Sequence, residues 1–298
     1  MNIIELNHLS FAFSKGKSIL KNINLNVPKG SIYGFLGANG AGKSTTMKLM
    51  MGTLNGYDGN ISLFNQDIKS FYPQGYTRIG SLIDYPAFYE HLSGFDNLKV
   101  VALIRELSLE NIDRVLEMVE LSDAKHIKLK KYSLGMKQRL AIALALVSQP
   151  ELLVLDEPVN GLDPQGMIKI RQLLIKLNQE LGITIFISSH LLQEIDKMVT
   201  HLGIISNGEM KFEGSREDLK QLFTHKKVSF KLHQPQNFIA KIPTIYRPSI
   251  TAEQEIMVEV EEDKAIAELN KILVNHGAEV FEINAKGGLE EWFVDITK

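Results

Sequence analysis

Residues 37–45 read Gly-Ala-Asn-Gly-Ala-Gly-Lys-Ser-Thr, GANGAGKST. This is a complete G-x-x-x-x-G-K-S phosphate-binding loop, and it follows the apolar run Ile32–Leu36, which has the length and character of a buried strand. Gly37, Gly40 and Gly42 allow the chain to wrap so that successive N–H groups point inward at an anion. The segment that would touch nucleotide phosphates thus runs from Gly37 through Asn39, Gly40, Ala41 and Gly42 to Lys43, Ser44 and Thr45. A helix starting near Lys43 adds its positive dipole end, and Lys43 sets an ammonium where β- and γ-phosphates would lie. Ser44 offers a hydroxyl to a magnesium ion that keeps most of its own waters. A glycine-rich turn alone is more often only a turn. The strand before it and the Lys-Ser at its end make this one a nucleotide site, with nucleotide phosphates and Mg2+ as the expected ligands.

Two further polar groups follow buried strands. Leu152–Leu155 is a continuous apolar run that ends in Asp156-Glu157-Pro158, and in an open α/β sheet ligands bind at the carboxyl ends of strands. Asp156 is expected to hold magnesium through its water shell, and Glu157 to polarise the attacking water. The plain alternative is a surface acid pair opening a turn before Pro158. His190 follows the run Ile183–Ser189. A lone histidine there is usually structural, but phosphoryl transfer can use one to link γ-phosphate, Glu157 and water.

Composition narrows the class. The 298 residues are 44% apolar, carry a formal net charge of −2 and include no cysteine. Disulfides and thiolate metal sites are excluded, and no basic field marks nucleic acid as the partner. The longest apolar run, Leu140–Val147, stops at Gln149-Pro150, far short of the roughly 18 residues that cross a bilayer. The opening MNIIELNHLSF lacks a charged-then-apolar leader. A soluble, cytoplasmic chain is the expectation.

The pattern along the chain predicts an α/β core. Ile23–Val27 alternates as a strand and Gly59–Phe64 reads as another, before a turn at Asn65-Gln66-Asp67. Between about residues 80 and 150 the period turns helical, with Ser108 an expected N-cap before the Ile112, Val115, Leu116, Val119 face. A helix from Pro164, a strand over Ile183–Ile187 and a hairpin around Asn207-Gly208 complete a domain of residues 1–224. Residues 225–298 read as a small α+β domain: strands at Val228–Leu232, Ile256–Val260 and Ala278–Ile283, a helical stripe from Ile266 to Leu273, and a closing helix over Leu289–Ile296.

The phosphate loop, then Tyr132-Ser133-Leu134-Gly135-Met136-Lys137-Gln138-Arg139, then VLDEP, then Asn160-Gly161-Leu162-Asp163, then His190, resemble an ATP-binding-cassette (ABC) ATPase in order and spacing over residues 1–220. The resemblance implies a P-loop NTPase cassette with an antiparallel β subdomain and a helical subdomain, and ATP as its nucleotide. It makes YSLGM the signature segment, usually LSGGQ, with Ser133, Gly135 and the helix N-terminus meeting a γ-phosphate. That phosphate belongs to a second cassette, packed head to tail as a homodimer or a paired heterodimer, with Asp163 near the seam. Phe13 is the implied adenine platform and Phe11 its near rival. Asp84 stands where the family has a magnesium-reaching glutamine; it can ligate the metal but adds charge near phosphates. A glutamate there, with a YSLGMKQR-type signature, is similar to the bacitracin and lantibiotic exporters.

The implied protein is the ATP-binding subunit of an exporter, bound to the cytoplasmic face of the membrane by a separate transmembrane permease, with Phe88–Leu98 part of the docking surface. The cargo could be an antimicrobial peptide, a lipid, an ion or a drug. The rival class is a soluble cassette ATPase acting on ribosomes or DNA. A single phosphate loop, the lack of sustained heptads and the near-neutral charge weigh against it. A simple nucleotide kinase leaves residues 132–139 and His190 without a role.

Overall fold

The computed structural model describes the chain except for residues 14–16, 72–73, 85–86, 224, 287 and 298. Thr224, the expected end of the first domain, and the Tyr85-Pro86 turn lie outside the described residues. Two compact units result, Met1–Arg216 and Glu217–Lys298.

The first unit opens with β1 (Asn2–Ala12), β2 (Ser18–Pro28) and β3 (Ile32–Leu36), followed by α1 (Lys43–Met50). Next come β4 (Asp58–Leu63), β5 (Gln66–Asp67), the short α2 (Ile68–Phe71) and β6 (Ile79–Leu82). Three helices, α3 (Gly94–Ile104), α4 (Asn111–Met118) and α5 (Leu134–Leu146), fill the interval before β7 (Leu152–Asp156). Then α6 (Pro164–Leu181), β8 (Thr184–Ser189), the single turn α7 (Leu192–Asp196), β9 (His201–Ser206) and β10 (Glu209–Ser215) close the unit.

Two sheets share its core. One is antiparallel, in the order β2-β1-β4-β5; the other runs β10-β9-β3-β8-β7-β6 and is parallel from β9 to β6. Leu6, Ile23 and Leu25 of the first sheet join Phe35, Phe186 and Met47 in one buried cluster, and Phe186 stacks on Tyr33 and lies tilted against Phe35, 5.5 Å from each. The fully buried five-residue pattern of β3 is what a strand covered on both faces requires. Because β3, β6, β7 and β8 are parallel, their carboxyl ends fall on one edge of the sheet, and there the chemistry-bearing loops meet.

Local rules explain the boundaries. Asp163 caps α6 by accepting the Gly166 N–H at 3.1 Å, Pro164 occupies the first turn, and Gly182 ends the helix in left-handed backbone (φ 66°). Asn207 (φ 52°) and Gly208 (φ 77°) turn the β9–β10 hairpin as two left-handed residues. Two local expectations shift. Helix α4 starts at Asn111, and Ser108 instead accepts the Glu110 N–H at 3.3 Å, closing a turn ahead of the helix. Gln66 and Asp67 are paired strand residues, because Phe64 (φ 53°) and Asn65 (φ 61°) make the hairpin turn.

Helix α8 (Arg216–Leu222) begins at the boundary, and the second unit continues with β11 (Lys226–Leu232), β12 (Ser249–Ala252), β13 (Glu255–Val260), α9 (Asp263–Asn275), β14 (Val280–Lys286) and α10 (Leu289–Thr297). Its antiparallel sheet, ordered β12-β13-β11-β14, packs Val228, Phe230, Ile256 and Val258 against Leu269 and Leu273 of α9. Trp292 of α10 stacks on Phe223 at 5.7 Å, and Asp295 pairs with Lys227 at 3.0 Å. β12 has no counterpart in the sequence pattern, since all four of its residues are exposed and none alternates.

Candidate active site

The phosphate loop is held by its neighbours. A Cβ on Gly37 would lie 2.6 Å from the Ile205 carbonyl oxygen, so only glycine fits there, and one on Gly42 would press on Leu20 Cδ2 at 2.5 Å. Gly40 (φ 80°) and Gly42 (φ 115°) also adopt backbone that side chains disfavour. Asn39 and Gly40 are exposed, Ala41 and Gly42 are buried, and Ser44 and Thr45 are half-buried on the first turn of α1. The Gly42 carbonyl accepts the Thr46 N–H at 2.9 Å and the Thr46 hydroxyl at 3.0 Å, which starts the helix without a side-chain cap. The first-turn N–H groups of α1 therefore face the loop. Lys43 is only 6% exposed; its Nζ donates to the carbonyls of Gly37 at 2.7 Å and Ala38 at 3.3 Å.

The carboxylates stand beside it. Asp156 ends β7 opposite Ser188 of β8, and the Ser188 hydroxyl donates to Asp156 Oδ1. Glu157 follows in left-handed backbone (φ 49°), its N–H directed at the Ser188 carbonyl (3.2 Å) and hydroxyl (3.1 Å). A non-glycine residue so placed is strained by about 1–3 kcal/mol, and Ser188 is what secures it. Glu157 Oε2 contacts His190 Nδ1 at 2.8 Å and accepts the His190 N–H at 3.3 Å. Its Oε1 is buried without a hydrogen bond, 3.3 Å from Lys43 Nζ. That contact is an ion pair whose geometry falls short of a hydrogen bond.

Lys43, Glu157 and His190 thus form one connected line across the strand ends, and Asp156 joins it through Ser188. A carboxylate can only accept, so Nδ1 of His190 carries the proton in this bond. Nε2 then donates only when the ring is doubly protonated. The sequence reading missed Ser188. Its signal was two consecutive serines, Ser188-Ser189, fully buried at the end of an apolar strand, where a hydroxyl without a partner would be costly.

The remaining residues divide. Phe13 is 67% exposed and meets the buried Phe11 edge-to-face at 4.9 Å, so Phe13 alone presents a ring to solvent while Phe11 belongs to the core. Asp84 lies beyond the end of β6 in left-handed backbone (φ 62°), and its Oδ2 is 2.7 Å from Lys48 Nζ on α1. Ser133 caps α5, accepting the Met136 N–H at 3.2 Å, and Gly135 faces open space. With Gly161, Asp163 and Lys169 they line a separate recess of about 430 Å3. The hydrogen bonds of Ser133 and Asp163 stay within their own helix starts, and the recess they line includes neither Lys43 nor Glu157.

Residues 20–160 match the family model described as ABC transporter. The chain is 38% identical over 308 residues to the bacitracin transport ATP-binding protein BcrA of Bacillus licheniformis, covering 99% of this chain and 97% of that protein. It is 39% identical over 227 residues to a lantibiotic transport ATP-binding protein of Streptococcus pyogenes, covering 75% of this chain and 96% of the other. Among solved structures, the dimeric structure of a bacterial ABC transporter cassette superposes with a TM-score of 0.62 at 26% identity, over 71% of this chain and 98% of that one. A nucleotide-free cassette gives a TM-score of 0.68 at 24% identity over 74% and 94% of the two chains, a likeness of fold. Full-length identity well above 30% settles the family: the chain belongs to the ATP-binding subunits of ABC transporters, P-loop ATPases that couple ATP hydrolysis to transport.

Proposed function

We propose that this subunit powers export of a bacitracin-like antimicrobial peptide through a separate transmembrane permease, which holds it at the cytoplasmic face of the membrane. The observation that carries the cargo class is the extent of the likeness. The bacitracin relatives match through both units, whereas the lantibiotic relative covers 75% of the chain, the length of a cassette. Among the described residues no helix is long and apolar enough to cross a membrane, which fits a transport role exercised through a partner.

The site supports hydrolysis at the Lys43–Glu157–His190 line. Backbone N–H groups of the loop and Lys43 would bind the β- and γ-phosphates, and Phe13 the adenine. Lys43 leaves its carbonyl partners for phosphate oxygens, a stronger charge-assisted bond. Glu157 would take the proton of the attacking water, its carboxylate aimed by His190 and its backbone fixed by Ser188. The donor chemistry fits Mg2+: Ser44 and Asp156 supply hard oxygens, and an ion that keeps its waters needs no ready-made cage, none of which occurs among the described residues. When bound it would neutralise phosphate charge. The second cluster, Ser133, Gly135 and Asp163, opens onto its own recess, as a surface completing the site of another cassette would. The active unit is therefore a head-to-tail pair.

Affinity capture from detergent-solubilised membranes tests this reading. Tagged Glu157→Gln chain with ATP and Mg2+ is expected to retain a multi-spanning membrane protein. Recovery of ribosomal particles or DNA in its place would overturn it.

A further inference from the structure

One ion pair at this site has no part in the Lys43–Glu157–His190 line. Asp84 follows β6, the neighbour of β7 in the sheet, and its carboxylate oxygen lies 2.7 Å from Lys48 Nζ. Lys48 comes four residues after Ser44 on α1, so the two share one helix face, about 6 Å apart along the axis. The Asp84 carboxylate is therefore paired with a side chain rooted one helical turn from Ser44. Asp84 is 67% and Lys48 33% exposed at the side chain. Pairs this open shift an equilibrium by no more than about fivefold, weak enough to be exchanged for a doubly charged competitor. The pair is also neutral as a unit, and this offsets the charge that an acid brings close to phosphates.

We propose that Lys48 is a positioning residue: it competes with the nucleotide-bound divalent cation for the Asp84 carboxylate and so sets the metal concentration at which nucleotide is held. The proposal rests on the ATPase reading of the site. In the resting chain Lys48 holds Asp84 back; on metal binding Asp84 transfers to the cation's water shell and the Lys48 ammonium is released.

The test is the Mg2+ concentration giving half-maximal ATP binding, measured by equilibrium dialysis with ATP in the full chain, in Lys48→Gln, Asp84→Asn and the double variant. Lys48→Gln is expected to lower it about two- to fivefold, the range an exposed pair can supply. In the Asp84→Asn background the same substitution should have no effect, and Lys48→Arg should stay close to the parent. An unchanged value in Lys48→Gln overturns the proposal, and so does an equal shift with and without the Asp84 carboxylate. If the parent chain binds no ATP with or without Mg2+, it is the reading of the site that fails and this inference falls with it, whereas ATP binding that is indifferent to Mg2+ overturns this inference alone.

Discussion

The Glu157 carboxylate faces the Lys43 ammonium across 3.3 Å through an oxygen that is buried and accepts no hydrogen bond. An acid is thereby held beside the cation proposed to bind phosphate, with one oxygen in reserve. Replacing Glu157 by Gln keeps the shape and removes the proposed base. Steady-state phosphate release should fall about 10²–10⁴-fold, while ATP stays bound and the closed dimer accumulates. Phosphate release and size-exclusion chromatography with ATP read the two effects separately.

Lys43→Ala should act at the binding step. It removes a charge-assisted donor of about 1.5–3 kcal/mol, corresponding to a loss of ATP affinity of roughly 10- to 150-fold by calorimetry. It also strips Glu157 Oε1 of its counter-ion, so the unliganded protein should unfold at lower temperature too.

Pairing of the two clusters across chains predicts complementation. Lys43→Ala disables the phosphate loop and Gly135→Asp the opposing surface, where a side chain meets no neighbour and leaves the fold intact. Each variant alone should be nearly inactive as a homodimer. Mixed, they form dimers with one intact site, and ATPase activity should partly return. Failure to recover any activity on mixing would count against the head-to-tail pair.

Gly42 is a stability test of the loop itself. At φ 115°, with Leu20 Cδ2 only 2.5 Å from the Cβ position, Gly42→Ala should cost about 1–3 kcal/mol from backbone strain and overpacking. Urea denaturation gives the value directly.

The pH dependence follows from Glu194. Its hydrogen bond with Lys197, then its ion pair with Arg171, hold the carboxyl below its ordinary 4.5. A depressed acid contributes stability above its unfolded pKa, and that contribution is lost as pH falls through the folded one. Unfolding midpoints should therefore decline as pH drops below about 4.5, and less steeply in Glu194→Gln.

Much of the fold was legible because its signals are local. The loop at 37–45, the apolar runs before Asp156 and His190, the Asp163-Pro164 helix start and the Asn207-Gly208 turn each rest on a few adjacent residues. Other features carried none. β12 lacks alternation because it is an exposed edge, and Ser108 has a capping side chain whose hydroxyl is taken by a turn.

By itself the sequence determined the ligand class and most of the elements, and it singled out Lys43, Asp156, Glu157 and His190 as candidates, since backbone propensity and apolar period act over a few residues. Only the tertiary structure decided the rest. Parallel pairing of β7 with β8 put Ser188 beside Asp156 and Glu157; packing buried Phe11 and left Phe13 outside; and the return of the chain after β6 toward α1 gave Asp84 a lysine partner. Each of these depends on strand register and burial between segments far apart in the chain, which no local pattern encodes.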